Sequence, residues 1–137
     1  MGVSMTEAEL LAMPPEDYMN EQQLAFFHQR LLAMRQEILK RGEETVQSLR
    51  ESELLPDPAD QATLEEEHVL ELRTRDRDRK LLKKIGDALT RIDEGSYGYC
   101  EESGEPIGLP RLLARPTATL GIEAQTHREI QQRQFAG

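Results

Sequence analysis

Apolar residues recur at spacings of three and four along the first half of the chain: Leu24, Phe27, Leu31, Met34 and Ile38, with the stripe drifting through Gly42 to Val46 and Leu49. That period puts one apolar seam on a long helix. Asn20 is a suitable N-cap for it, Gln23 stands where a capping box places its reciprocal side chain, and Met19 with Leu24 has the spacing of a hydrophobic staple. The run Leu54-Leu55-Pro56-Asp57-Pro58 then breaks the pattern, because two prolines remove donors and push the residues before them out of helical geometry. Asp57 can cap a second helix with Pro58 in its first position. Leu64, His68, Leu72, Leu82, Ile85, Leu89 and Ile92 continue it at helical spacing to a stop near Gly95. Helices over Glu21 to Ser52 and Ala59 to Asp93, each about 50 Å long at 1.5 Å per residue, fold back antiparallel as a coiled-coil hairpin. Leu24 to Leu31 are expected near Leu82 to Leu89, and Leu49 beside Leu64.

The flanks read differently. Pro14 and Pro15 make residues 1–20 a weakly structured lead-in with at most one short helix. After Gly95, Gly98, Gly104, Pro106, Gly108, Pro110, Pro116 and Gly121 punctuate short runs holding Tyr97, Tyr99, Ile107, Leu109 and Leu112, a turn-rich knob. Helix returns at about Ile122 to Gln134. The expected fold is mainly α: a lead-in (1–20), a hairpin (21–95) with an acidic tip at 54–62, and a small globular domain (96–137) made of a degenerate zinc-ribbon-like knob and a C-terminal helix.

Composition narrows the function. Of 137 residues 37% are hydrophobic and 4% aromatic, too few for a thick average core, while 31% are charged, which suits elongated helices. No stretch approaches the roughly 18 apolar residues of a membrane span, and Met1 to Met13 lacks the features of a secretory signal, so a cytoplasmic protein without membrane attachment is expected. The formal charge of -9 disfavours electrostatic capture of bulk DNA. His28, His68 and His127 are scattered, and no nucleophile and base pair or phosphate loop points to an enzyme.

Charge is divided along the hairpin. From Glu51 to Glu67 there are seven acidic residues and no Lys or Arg; from Arg73 to Lys84 there are seven basic residues against Asp76 and Asp78. Such separation suits docking at two places on a large partner better than long-range attraction. A bland reading stands beside it. Asp57 and Asp60 have N-cap spacing, Glu65 to Glu67 favour the positive end of the helix dipole, and Glu71 with Arg75 and Asp76 with Lys80 are ordinary solvated helix pairs.

The knob carries the outline of a zinc ribbon. Cys100-Glu-Glu-Ser103 fills a first C-x-x-C slot and Gly121-Ile-Glu-Ala124 a second, but Ser, Gly and Ala supply no thiolate, so no structural zinc is expected. Cys100, with no adjacent cation or second cysteine, reads as a buried packing residue rather than a reactive thiol.

Taken together, Leu55-Pro-Asp57-Pro-Ala-Asp60-Gln-Ala62, Glu65-Glu-Glu, the basic run Glu71 to Ile85, Gly98-Tyr-Cys100 and Ala114-Arg115-Pro-Thr117-Ala resemble the DksA/TraR family of bacterial transcription regulators over about Glu16 to Gly137. The resemblance implies a monomeric regulator that binds bacterial RNA polymerase through its secondary channel, reads no DNA sequence and, together with ppGpp, represses ribosomal RNA promoters and activates some others. The family's tip motif falls on Asp57, Asp60 and Ala62, and docking on polymerase is assigned to Arg73 and Arg77. Positions contacting ppGpp, a co-regulator rather than a tightly bound cofactor, fall on Leu81, Lys84 and Arg115; the position usually held by Lys is Gln125. Four cysteines hold zinc in many members, and this sequence is similar to the cysteine-poor branch that dispenses with metal. The competing readings are a cofactor of transcript cleavage like the Gre factors, whose acidic tips help position Mg2+, and a generic coiled-coil adaptor.

Overall fold

The computed structural model describes residues 5–52 and 58–136. Among these the regular elements are helices: α1 (Glu7–Leu11), α2 (Glu21–Ser52), α3 (Pro58–Glu94), α4 (Leu109–Ala114) and α5 (Ile122–Ala136), with a 3₁₀ turn at Pro15–Asp17 and one antiparallel bridge, Tyr99 to Pro106. The fold class is therefore mainly α, with α2 and α3 as the arms of a helical hairpin whose ends are separated in sequence by residues 53–57.

Local chemistry sets these boundaries. The Gln23 backbone N–H donates to Asn20 Oδ1 at 3.0 Å, and Gln23 Oε1 accepts from the Met19 N–H at 2.9 Å. This is the expected capping box with its return arm one residue earlier, at Met19, which is left-handed at φ 57°. Gln23 is buried, and its Nε2 finds Met13 Sδ at 3.6 Å. The predicted start at Asp57 lies outside the described residues.

The chain divides into two compact units, Met1–Leu31 with Asp87–Gly137, and Leu32–Gly86. In the first, Leu10, Phe27, Leu31, Tyr97 and Leu112 are each at most 2% exposed. The described part of the lead-in is an integral layer here. Thr6 caps α1, α1 packs on α4, and Glu7 pairs with Arg30 at 2.7 Å. The Tyr18 hydroxyl donates to Gly98 O at 2.6 Å and accepts from Gly108 N–H at 2.9 Å. Gly98 has φ +91°, and a Cβ there would meet Met19 at 2.8 Å, so this turn needs glycine on both counts.

Among the described residues of the second unit the buried apolar ones are Ile38 and Ile85, and Leu39, Val69, Leu70 and Leu72 lie open to solvent. Arg41 on α2 pairs with Asp78 on α3 at 3.2 Å beside an open groove of about 1170 Å³ lined by residues such as Ile38, Val46, Leu72 and Leu82. The seam expected from periodicity holds at Ile38 and Ile85 but not at Leu72, which is 51% exposed. Leu49 and Leu64 have side chains outside the described residues.

Candidate functional site

The acidic end of the hairpin is described only in part. Asp57 lies outside the described residues; Asp60 and Ala62 fall in the first two turns of α3, and their side chains lie outside too. Glu65, Glu66 and Glu67 follow with exposed carboxylates.

Farther along α3 the charges sort themselves. Asp76 is engaged by Arg79 and by Lys80 at 3.2 Å. The Lys80 hydrogen bond foremost, then its charge and the Arg79 contact, hold the Asp76 carboxyl below the usual carboxylate range. Asp78 goes to Arg41. Among the described residues Arg73 and Arg77 make no ion pair, and both are exposed beside Val69 and Leu72 along one shallow strip of α3. Two unspent guanidiniums flanking half-exposed aliphatic side chains form a surface suited to an acidic partner with some apolar character. The expected Glu71 to Arg75 pair is absent among the described residues: Glu71 Oε2 and, one turn earlier, His68 Nε2 are buried without a partner.

Leu81 is half-buried and Lys84 exposed on α3 in the second unit. Arg115 belongs to the first unit, where it ends α4. Its N–H donates to Arg111 O at 2.8 Å and its carbonyl accepts from Ala118 N–H at 3.0 Å, while the side chain stays exposed without an ion pair among the described residues. Gln125 spends its amide on Glu129, at 3.0 Å.

The two degenerate knuckles do meet. The Ser103 hydroxyl first, then the backbone N–H groups of Gly121, Ser103 and Glu102, hold the Cys100 thiol down to about 7. Cys100 is buried, as its packing role requires, and although no adjacent cation or second cysteine is there to lower its pKa, the Ser103 hydroxyl and then backbone donors do so. The slots of a four-cysteine site hold Cys100, Ser103, Gly121 and Ala124, one thiol and no second soft ligand. These residues do not fit a tetrahedral zinc site, and among the described residues no three metal-ligating groups converge.

Polar staples tie the same loops. Arg91 Nη2 donates to Ser96 O at 3.1 Å and Tyr99 O at 2.8 Å, with Glu101 beside Nη1. Arg111 Nε reaches Leu120 O at 2.9 Å, Glu101 N–H reaches Thr119 O at 2.8 Å, and the Tyr97 hydroxyl reaches Pro116 O at 2.7 Å. None of these staples was legible in sequence, where Arg91 and Arg111 look like any helix cation.

Comparison with known proteins gives concordant matches. The family model for the N-terminal domain of DnaK suppressor protein DksA matches residues 23–92, and that for the prokaryotic dksA/traR C4-type zinc finger matches residues 95–129. The chain is 56% identical over 123 residues to the RNA polymerase-binding transcription factor DksA of Caulobacter vibrioides (strain NA1000 / CB15N), covering 88% of this chain and 87% of the relative. It is 48% identical over 125 residues to the protein so named in Escherichia coli (strain K12), covering 90% and 83%. Among solved structures it is similar to transcription factor DksA2 from Pseudomonas aeruginosa, with a TM-score of 0.84, 50% identity, and coverage of 93% of this chain and 99% of the other.

Proposed function

Because the chain belongs to the DksA family, we propose that it binds RNA polymerase directly and regulates transcription initiation without catalysing a reaction or reading a DNA sequence. Its relatives carry the name RNA polymerase-binding transcription factor. The observation that carries the reading onto this chain's own surface is the strip of α3 where Arg73 and Arg77, without an ion pair among the described residues, lie beside Val69 and Leu72. With Asp76 paired to Arg79 and Lys80 and Asp78 to Arg41 of α2, these two arginines make no ion pair among the described residues and have charge to offer a partner.

The finer assignments extend this reading. Asp57, Asp60 and Ala62 form the tip that acts near the polymerase active site through the secondary channel; carboxylates on a narrow support, beside a small Ala62, can approach basic side chains or a Mg2+ environment closely. Arg73 and Arg77 dock the protein. Leu81, Lys84 and Arg115 contact ppGpp, whose phosphates require cations; the loss of a further cation at Gln125 weakens that contact rather than abolishing it. The protein works as a cytoplasmic monomer and needs no zinc for its fold.

The test is purified transcription from a ribosomal promoter, with polymerase binding measured in parallel. Asp60→Asn retains binding and loses regulation. Unchanged transcription with Asp60→Asn would remove the tip assignment, and shortened RNA in stalled complexes would shift the reading to transcript cleavage.

A further inference from the structure

Segment 112–120 of the first unit is anchored inward on both sides of Arg115. Leu112 is fully buried, Ala118 and Leu120 are at most 7% exposed, and Pro116 is buried as well. Between these anchors Arg115 stands exposed at φ −143°, ψ 85°. Proline at the next position disfavours the helical region for Arg115, so α4 ends there and the chain takes an extended step. What fixes the following peptide is the carbonyl of Pro116, and its partner is the Tyr97 hydroxyl at 2.7 Å. Tyr97 is 2% exposed, with its ring 5.6 Å from that of Phe27. Burial raises its pKa, so the hydroxyl keeps its proton and remains a donor.

We infer that Tyr97 is a positioning residue for the anionic co-regulator: through Pro116 O its hydroxyl fixes the backbone from which the Arg115 guanidinium is presented. The inference rests on the reading of Arg115 as a ppGpp contact. A phosphate-binding arginine is effective when its fork is held in one direction before the ligand arrives, since ordering it afterwards costs part of the binding energy. Arg115 has no ion pair among the described residues to hold its side chain, so its backbone carries the orientation. In a module whose loops do not fit a metal cross-link, that backbone depends on staples of this kind.

The experiment titrates ppGpp in purified transcription with full-length wild type, Tyr97→Phe, Pro116→Ala, Arg115→Ala and Tyr18→Phe. Tyr18→Phe removes another, half-buried hydroxyl of the same unit, bonded to Gly98 and Gly108 rather than to Pro116. Tyr97→Phe should raise the ppGpp midpoint about fivefold, the scale of one lost hydrogen bond, without shifting the protein concentration needed for regulation in the absence of ppGpp, and Pro116→Ala, which keeps the carbonyl that accepts from Tyr97, should shift the midpoint less. Tyr18→Phe should leave the ppGpp midpoint in place, and Tyr97→Phe should add nothing in an Arg115→Ala background. If Arg115→Ala loses the response and Tyr97→Phe keeps it, the positioning role is wrong and the ppGpp reading stands. If Arg115→Ala keeps the wild-type response, that reading falls and takes the inference with it. Equal shifts for Tyr97→Phe and Tyr18→Phe would mean general loosening, which also overturns the inference.

Discussion

The two compact units solve different problems with the same pair of long helices. The first, Met1–Leu31 with Asp87–Gly137, buries aromatic and aliphatic side chains and pins its loops with arginine and tyrosine hydrogen bonds. Among its described residues the second, Leu32–Gly86, buries Ile38 and Ile85, leaves Leu39, Val69, Leu70 and Leu72 about half exposed or more, and carries Arg73 and Arg77 without an ion pair. Over the described residues that seam contributes little burial, and helical continuity and local charge pairs carry more of the order there. The contrast teaches a division of labour: groups spent inward hold the first unit, whereas groups left unspent on the second are available to a partner.

The sharpest way to break that contrast is to delete core from each side. Phe27 is fully buried against Tyr97, and Phe27→Ala should cost about 3–5 kcal/mol through lost transfer energy and an unfilled cavity. Leu72→Ala, at a half-exposed position, should cost less than about 1 kcal/mol. Urea denaturation of the full chain measures both, and comparable losses would mean that Leu72 is as deeply engaged as its helical period suggests.

That last point marks where the sequence stops being legible. Asn20, Gln23 and the Pro56–Pro58 interruption are local signals, and they place the α2 ends at Glu21 and Ser52 and bring α3 to within a residue at each end. Periodicity tells which face of a helix is apolar but not whether anything covers it, so Leu72 was assigned to the seam and is exposed. The six-residue α4 is too short to show a period. The staples from Arg91, Arg111 and Tyr97 are tertiary contacts to carbonyl oxygens, which every residue carries, so no residue pattern announces them. For the candidate site, Arg73 and Arg77 were identifiable by resemblance, yet only the geometry of Asp76 and Asp78 reveals which cations of the basic run are already engaged.

Those two classes of cation give the next prediction. Arg77→Ala should weaken polymerase binding about tenfold, equivalent to about 1.4 kcal/mol, with a smaller salt dependence and an unchanged thermal midpoint. Arg79→Ala, whose guanidinium is shared with Asp76, should weaken binding less. Equilibrium binding to core polymerase at two salt concentrations distinguishes them. Equal losses would show that internal pairing does not decide which arginines dock.

The smallest expected effect separates the units by pH. In the first, the fold lowers the Cys100 thiol from the usual 9 to about 7, so folding favours its thiolate. The resulting stabilisation is complete above the unfolded value and is lost as pH falls through the folded one. Stability should therefore rise between pH 7 and 9. In the second unit the depressed group is a carboxylate, Asp76, whose contribution is present above the ordinary carboxylate value and disappears only on acidification below it. Urea midpoints at pH 6.5 and pH 9 should thus differ for wild type and coincide for Cys100→Ser, while thiolate absorbance should titrate near 7 and move upward in Ser103→Ala. A Cys100→Ser protein that still gained stability over that interval would place the responsible group elsewhere. Because Asp76 is silent in that window, it would also point to a second titrating group that the present hydrogen bonds do not identify.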